Sequence, residues 1–220
     1  MWSDLITGKR KKGTRFHNHQ ARLMDAAAVV NLPASILTTV FVKLTRRYPE
    51  LPLLSFKAIR RLNRMIQKDW KILEFGSGMS TLWFARRCEL VVSVEINSHF
   101  YELLKTKLAN RKLENVDYRL RTPDVAHVVP EYPDSYFDFV LVDGVNRHLA
   151  METALAKVKP GGFIYLDNID SPQPDYQKAR EMLISAAAGD GNISIFNDLT
   201  PSRVYVTEGM LAQVTNEHPQ

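Results

Sequence analysis

The sequence contains little cysteine and few long apolar stretches, and both shortages exclude classes of protein. Its 220 residues include one cysteine, Cys88, which excludes an intramolecular disulfide framework and a cysteine-rich zinc site. We expect a reducing, cytoplasmic setting and a buried, inert thiol. The stretch 26–42 is seventeen residues without a charge, interrupted by Asn31 and Pro33. Because this is at the short limit for a membrane span, we expect a buried or interfacial helix pair there.

Acidic residues are scarce in the first third of the chain. The net charge of the sequence is +5, yet residues 1–69 hold fourteen Lys or Arg and four Asp or Glu, a net of +10, which leaves −5 for residues 70–220. This asymmetry disfavours a nucleic-acid-binding protein that is basic throughout, and leaves open a basic arm that contacts lipid, nucleic acid or an acidic partner. We predict a basic helical segment at 1–69, with about twenty flexible residues first, and a second domain at 70–220. Ser55 is the predicted N-cap of an amphipathic helix in the basic segment.

From Trp70 onward, short apolar runs alternate with helical patterns. Strands are predicted at 71–75, 90–95, 116–121, 137–143 and 162–167, and helices at 80–87, 98–108, 147–158 and 176–187. Two further runs, 191–198 and 202–208, are joined by a short link, which predicts an antiparallel hairpin. The pattern therefore predicts an α/β fold: a Rossmann-like, seven-stranded, mostly parallel sheet with a C-terminal antiparallel hairpin and an N-terminal helical extension.

A glycine-containing turn follows the first predicted strand. In order, the residues of interest are Glu74, Gly76, Gly78, Ser80 and Thr81. Glycines let the backbone turn sharply and approach a ligand closely, and the free N–H groups at a helix start favour polar or negative groups. The third glycine of the dinucleotide fingerprint is missing, because Thr81 stands at its place. Glu95 ends the second strand, where a carboxylate can accept both hydroxyls of an adenosine ribose. These residues predict a nucleotide-cofactor site.

At this point residues 70–208 resemble class I S-adenosylmethionine-dependent methyltransferases. The acidic-x-Gly-x-Gly pattern of that family matches Glu74, Gly76 and Gly78, and the Lys-Pro-Gly-Gly at 159–162 is typical of it. The resemblance implies that the loop, with Ser80 and Thr81, holds the methionine part of the cofactor and that Glu95 holds the ribose. It also implies that Asp124 lies beside the adenine amino group. A nicotinamide-dependent enzyme is the competing interpretation.

Polar residues end two neighbouring strands of the predicted sheet. Asp143 ends the fourth strand, and Asp167 with Asn168 ends the fifth. Two carboxylates and an amide suit a hard divalent cation such as Mg²⁺. The set is similar to the metal ligands of O-methyltransferases that act on catechols and caffeoyl thioesters. Those enzymes carry a Lys base three residues after the strand-four Asp, where this chain has Asn146. The alternative is that Asp143 lines the cofactor site while Asp167 and Asn168 only cap the strand end.

The sequence therefore predicts methyl transfer from S-adenosylmethionine to a small-molecule acceptor, with oxygen as the favoured atom and a divalent cation as a candidate helper. Asp143 and His148 are the candidate catalytic residues, because His148 is the nearest base, and Arg147 could pair with an acidic group of the substrate. Nucleic acid is a less favoured acceptor, since no Asn-Pro-Pro-Tyr-like motif follows the fourth strand. The oligomeric state is not predicted.

Two alternatives stay open at this point. One is methylation of nucleic acid or protein through the basic segment, and the other is a non-catalytic scaffold that binds the cofactor or a membrane. Peripheral membrane contact through residues 1–69 is compatible with either the enzyme or the scaffold. Four aromatic residues are candidates for the wall of an acceptor pocket, although each also suits a core: Trp83, Phe100, Tyr101 and Tyr136.

Overall fold

Seven strands form one sheet in the computed structural model, which describes residues 14–121, 129–187 and 189–215. The strands are β1 (Lys71–Phe75), β2 (Leu90–Glu95), β3 (Val116–Leu120), β4 (Phe137–Val142), β5 (Val158–Leu166), β6 (Ile193–Thr200) and β7 (Arg203–Gln213). Their order across the sheet is β3-β2-β1-β4-β5-β7-β6. The first five strands run parallel, whereas β7 is antiparallel to both β5 and β6. The predicted Rossmann-like sheet with its closing hairpin is confirmed.

Helices connect the parallel strands and precede the first of them. They are α1 (Leu32–Thr45), α2 (Phe56–Met65), α3 (Met79–Ala85), α4 (Ser98–Arg111), α5 (Arg147–Lys157) and α6 (Pro174–Ala186), with a 3₁₀ helix (Ala26–Asn31) leading into α1. The predicted cap is present, since Ser55 Oγ accepts from the Ala58 amide at 3.2 Å. At the start of α4, Asn97 Oδ1 accepts from the amides of His99 and Phe100. Such contacts satisfy amides that have no partner within the helix.

The pleat of each strand directs alternate side chains to opposite faces of the sheet. In β1, Leu73 and Phe75 pack on the face covered by α5 and α6, while Ile72 packs on the face covered by α2 and α3. Glu74 shares the face of Ile72 and is fully buried there. Cys88 is buried as well, and burial raises the pKa of its thiol to about 12, as expected of an unreactive cysteine.

The described part of the basic segment is attached to the β6–β7 hairpin by polar contacts. Asn18 Nδ2 donates to Glu208 Oε2 at 2.9 Å, and Asn31 Nδ2 donates to Asp198 Oδ2 at 2.7 Å. Both pairs are buried. Arg22 adds an ion pair to Glu208 at 3.3 Å. Residues 14–31 are therefore fastened to the hairpin edge of the sheet.

One helical stretch, Ala26–Thr45, is long and apolar enough to cross a membrane by length and composition alone. Only 17% of its most apolar window is buried. The 3₁₀ helix and α1 follow one another directly, and most of their apolar side chains face outward. The sequence-based expectation of a buried helix pair is thus wrong, while an interfacial helix stays a prediction.

Candidate active site

A cavity of about 770 Å³ opens at the carboxyl edge of the parallel strands. The turns after β1, β2, β4 and β5 contribute to it, together with α4 and the segment that precedes α2. Ligands bind at this edge of open α/β sheets because the loops converge there. The volume falls in the usual range for cofactor sites, about 300–1,000 Å³. Five of the predicted cofactor residues line the cavity: Gly76, Gly78, Ser80, Glu95 and Asp143.

The turn after β1 requires glycine at position 76. Gly76 has a φ of +93°, and a Cβ there would lie 2.8 Å from backbone atoms of Asp143 and Gly144. The turns after β1 and β4 therefore touch through their backbones. Gly144 belongs to the same contact, since a Cβ on it would lie 3.3 Å from the Gly76 nitrogen. Side chains are kept out of the cavity floor at this point, as a cofactor-binding loop requires.

Glu95 lies at the cavity edge and is held in place through both carboxylate oxygens. Its Oε1 accepts from the amides of Ile96 and Asn97 at 2.8 Å each, and its Oε2 accepts from Ser77 Oγ at 2.7 Å. Ser77 Oγ also lies 2.8 Å from the Tyr118 hydroxyl. Each carboxylate oxygen can accept more than one hydrogen bond, so the fixed group remains able to bind ribose hydroxyls. Sequence reasoning missed Ser77 and Tyr118, because the pattern of β3 does not say which residue approaches the glycine turn.

Glu74 and Thr81 lie beneath the glycine turn and do not line the cavity. Glu74 Oε2 accepts from Thr81 Oγ1 at 2.5 Å and from Ser93 Oγ at 2.6 Å, while Thr81 Oγ1 accepts from the Gly78 amide at 3.2 Å. Burial raises the pKa of Glu74 to about 7, although its hydrogen bonds to hydroxyl groups oppose the rise. The contact of Glu74 and Thr81 with the cofactor stays a prediction. Both side chains support the turn from the sheet–helix interface, because strand alternation directs Glu74 there.

Asp143, Asp167 and Asn168 come together at the ends of β4 and β5. Asp143 and Asp167 both line one small cavity, and Asn168 Nδ2 donates to Thr207 Oγ1 at 2.8 Å. Burial raises the pKa of both carboxyl groups, and the charge of Asp143 raises that of Asp167 further. Both pKa values therefore lie above the ordinary value of an aspartate, because burial and a neighbouring negative charge each disfavour the charged form of a carboxyl group.

The guanidinium of Arg147, the first residue of α5, lies among these oxygens. Its Nη2 donates to Asp143 Oδ1 at 3.0 Å and to Asn168 Oδ1 at 3.1 Å, and its Nε donates to the Asp167 carbonyl at 3.2 Å. The side chain is 3% exposed and stacks on Tyr176, 4.1 Å from the ring centroid. Two of the three predicted metal ligands are thus already bound to a fixed cation. Sequence reasoning assigned Arg147 to the substrate and missed this contact.

A smaller cavity of about 140 Å³ adjoins the carboxyl pair. It shares four lining residues with the larger cavity: Leu53, Asp143, Asn168 and Arg203. Its remaining lining is polar, with one carboxylate and three hydroxyl groups: Asp167, Thr200, Tyr205 and Thr207. The arrangement places a small polar space directly beside a cofactor-sized one, which is what transfer of a group between two bound molecules needs.

His148 lines neither cavity. Its Nδ1 hydrogen-bonds to Asp175 Oδ1, and the Asp175 carboxylate also accepts from the amides of Arg147 and His148 at 2.8 and 3.1 Å. Burial raises the pKa of Asp175, yet these hydrogen bonds outweigh that effect and hold it below its ordinary value. The first turn of α5 directs the ring toward α6, and a catalytic role for His148 stays a prediction. Asp124, the predicted adenine neighbour, lies outside the described residues.

The four aromatic candidates divide between cavity and core. Phe100 lines the larger cavity and is 59% exposed. Trp83 is buried against Phe84. Tyr101 stacks on Tyr118 with ring centroids 4.6 Å apart, and Tyr136 packs on Phe137 in the core. Of these four, Phe100 alone is placed to contact a bound molecule.

The fold and the site define an α/β domain with a cavity of cofactor size at the carboxyl edge of its sheet. A family model described as a methyltransferase domain matches residues 73–166. The matched segment runs from β1 to the end of β5 and is similar to a methyltransferase domain. No curated protein matches the chain.

Solved structures of several methyltransferases share this fold. An O-methyltransferase from Bacillus cereus in complex with S-adenosylhomocysteine is 22% identical, with 86% of this chain and 97% of that chain covered and a TM-score of 0.61. The O-methyltransferase TomG from Streptomyces achromogenes, in complex with S-adenosylmethionine, is 21% identical, with coverages of 87% and 97% and a TM-score of 0.59. An rRNA methylase from Streptococcus thermophilus is 13% identical, with coverages of 69% and 90% and a TM-score of 0.52. The fold alone therefore leaves the acceptor open.

Proposed function

We propose that this chain is a methyltransferase and that it methylates a hydroxyl oxygen of a small molecule bound in the smaller cavity, called the acceptor cavity below. The observation that carries the proposal is the position and polarity of that cavity. It meets the cofactor cavity at Asp143 and Asn168 and offers a carboxyl pair together with hydroxyl groups. A hydroxyl group needs both a hydrogen-bond donor and an acceptor nearby, and its volume of about 140 Å³ suits a small polar group.

The residues of the larger cavity suit S-adenosylmethionine. The backbone contact at Gly76 leaves the floor free of side chains, which suits the methionine part, and the fixed carboxylate of Glu95 suits the ribose hydroxyls. When bound, this cofactor supplies a methyl group that its positive sulfur has already activated. The protein therefore has to align the acceptor oxygen and take up its proton.

The carboxyl pair of Asp143 and Asp167 is the proposed proton acceptor. As the oxygen–carbon bond forms and the carbon–sulfur bond breaks, the electron pair of the latter passes to sulfur. The hydroxyl proton passes to the ionised carboxylate of the pair. Because burial raises the pKa of both groups, this carboxylate is a stronger base than one in water, and general-base catalysis depends on that strength.

A divalent cation does not suit the donor set as it stands. Arg147 Nη2 already binds one oxygen of Asp143 and the side-chain oxygen of Asn168, and a dication beside a guanidinium would be repelled. We therefore assign no step to a metal. In this proposal the guanidinium keeps one positive charge beside the carboxyl pair and fixes the position of Asp143.

The experiment is an acceptor screen with the full chain. The protein is incubated with S-adenosylmethionine and catechols, hydroxybenzoates or cellular RNA, with and without EDTA, and mass spectrometry locates the methyl group. We expect an oxygen-methylated small molecule and an EDTA-insensitive rate. Methylation confined to RNA, or to nitrogen, would overturn the proposal, and loss of activity in EDTA would overturn the role given to Arg147.

Replacing the member of the pair that carries the counter-charge of Arg147 tests the base. Asp143→Asn should lower kcat by about 10²–10⁴-fold, and calorimetry with S-adenosylhomocysteine measures separately any change in cofactor affinity. The control is Asp170→Asn, because Asp170 is a buried aspartate that lines neither cavity. Equal kcat for the two variants would exclude Asp143 from proton transfer.

A further inference from the structure

The helix α1 faces the protein with polar residues and faces solvent with apolar ones. On the inner face, Ser35 Oγ donates to the carbonyls of Thr200 and Arg203 at 2.9 and 3.0 Å, and Thr38 Oγ1 accepts from the Ser202 amide at 2.9 Å. Helices on the surface of a soluble protein normally have the reverse pattern. The hydrogen bonds fasten α1 to the β6–β7 turn without using its apolar side chains.

The outer face of α1, with the 3₁₀ helix before it, is a continuous apolar surface. Its seven large apolar side chains are between 44% and 79% exposed: Val29, Val30, Ile36, Leu37, Val40, Phe41 and Leu44. Single exposed apolar residues are ordinary, but a contiguous set of this length marks a surface that another phase or molecule covers. Since the inner face is bonded to the hairpin, α1 cannot span a membrane without breaking those buried bonds.

The charged residues within the stretch that carries the outer face, 26–49, are all basic. Lys43, Arg46 and Arg47 are exposed at its C-terminal end, and residues 26–49 contain no Asp or Glu. The sequence adds Lys-Arg-Lys-Lys at 9–12, before the first described residue. A second copy of the chain on this face would bring further cations and no carboxylate from this stretch. An anionic bilayer supplies both the apolar phase and the opposite charge.

We propose that α1 lies in the surface of an anionic membrane and holds the enzyme there as a peripheral protein. The segment that follows α1 supports this orientation, since Tyr48, Pro49, Leu51 and Leu53 line the cofactor cavity. Docking through α1 therefore places one wall of that cavity next to the lipid. The inference concerns where the enzyme works and does not depend on which atom it methylates.

Vesicle co-sedimentation of the full chain tests the proposal. We expect the protein to pellet with phosphatidylcholine vesicles that contain about 30 mol% phosphatidylglycerol, and to bind pure phosphatidylcholine at least about tenfold more weakly. Raising the salt from about 0.15 M to about 0.5 M should release much of it, because screening weakens the charge contribution. Absence of binding to the anionic vesicles would overturn the proposal.

Two variants separate the apolar and basic contributions. Leu37→Gln with Leu44→Gln should lower the partition coefficient at least about tenfold, and Lys43→Gln with Arg47→Gln should lower it on anionic vesicles only. The control is Ile184→Gln, an exposed apolar residue of α6 outside both cavities, which should bind like the parent. Equal binding of the leucine variant and the parent would overturn the proposal. So would a dimer in light scattering that the leucine variant converts to monomer while vesicle binding is unchanged.

Discussion

Replacing Arg147 with methionine should destabilise the protein through the carboxyl pair. Methionine keeps a long, flexible, apolar side chain in the same space, so the packing loss is small. What is lost is the hydrogen bonding from Nη2 to Asp143 and Asn168 and from Nε to the Asp167 carbonyl. The Asp143 carboxylate then remains beside Asp167 without its counter-charge.

The size of the effect follows from burial. Removing one partner of a buried ion pair costs about 3–5 kcal/mol. The Asp143 side chain is 29% exposed and Arg147 is 3% exposed, so solvent screening favours the lower end, about 3 kcal/mol. For a domain of this size that corresponds to a fall in Tm of about 6–12 °C.

The stability difference between the Arg147→Met variant and the parent should depend on pH. Loss of the cation raises the folded-state pKa of Asp143 further above its unfolded value. A carboxyl group of this kind contributes stability that is present at low pH and is lost as pH rises through the folded pKa. The stability deficit of the variant should therefore be larger at about pH 8 than at about pH 5.5.

Urea unfolding of both proteins at the two pH values measures this deficit. The matched control is Arg87→Met, because the Arg87 guanidinium also lies 4.1 Å from an aromatic ring centroid, that of Trp83, and donates to the Trp83 carbonyl at 2.8 Å. Its described hydrogen-bond acceptors are the neutral oxygens of Asn63 and Trp83, so its loss should cost less than about 1.5 kcal/mol at either pH. A deficit for Arg147→Met below about 1 kcal/mol, or one independent of pH, would refute the reasoning.

Three further variants test the rest of the site. Gly76→Ala should weaken S-adenosylhomocysteine binding at least about tenfold in calorimetry. The control is Gly189→Ala, which should bind normally, because Gly189 has a similar φ of +96° but open space around it. Equal affinities of the two variants would show that the close backbone contact at Gly76 is not needed for binding. Burial raises the folded pKa of Glu74 to about 7, so the parent should lose up to about 3 kcal/mol of stability as pH rises from about 4.5 to about 7. Glu74→Gln should lack this loss, and parallel pH profiles in urea titrations would contradict the raised pKa. His148→Ala should keep kcat within about twofold of the parent. A fall in kcat of a hundredfold or more would show that the imidazole takes part in catalysis.

The strand pattern predicted the sheet because parallel strands buried on both faces read as apolar runs separated by turns. The same logic placed Asp143, Asp167 and Asn168 together, since the carboxyl ends of neighbouring parallel strands meet at one edge. It could not predict which partner these oxygens would have. Arg147 reaches them because Asn146 adopts a left-handed φ of +52° at the start of α5, and a sequence does not show that a non-glycine residue will turn there.

Glu74 illustrates a second limit of sequence reasoning. Its position in the acidic-x-Gly-x-Gly pattern suggested contact with the cofactor, yet alternation along β1 directs its side chain to the face of Ile72, under the turn. The acidic residue acts on the site through Thr81, whose hydroxyl joins the Glu74 carboxylate to the Gly78 amide. A motif identifies the residues of a site, whereas strand periodicity decides which of them face the ligand.

The structure gives the polar residues of 26–42 a different role from the one that the sequence suggested. In the sequence, Asn31, Ser35 and Thr38 dilute an apolar stretch and argue against a membrane span. In the structure they are the attachment surface of α1, bonded to Asp198, Thr200 and Ser202 of the hairpin. Polar attachment leaves the apolar side chains outside, and the segment after α1 brings Leu53 to the border of both cavities. Docking of α1 on a membrane, as proposed, would therefore act one short connection away from the proposed acceptor cavity.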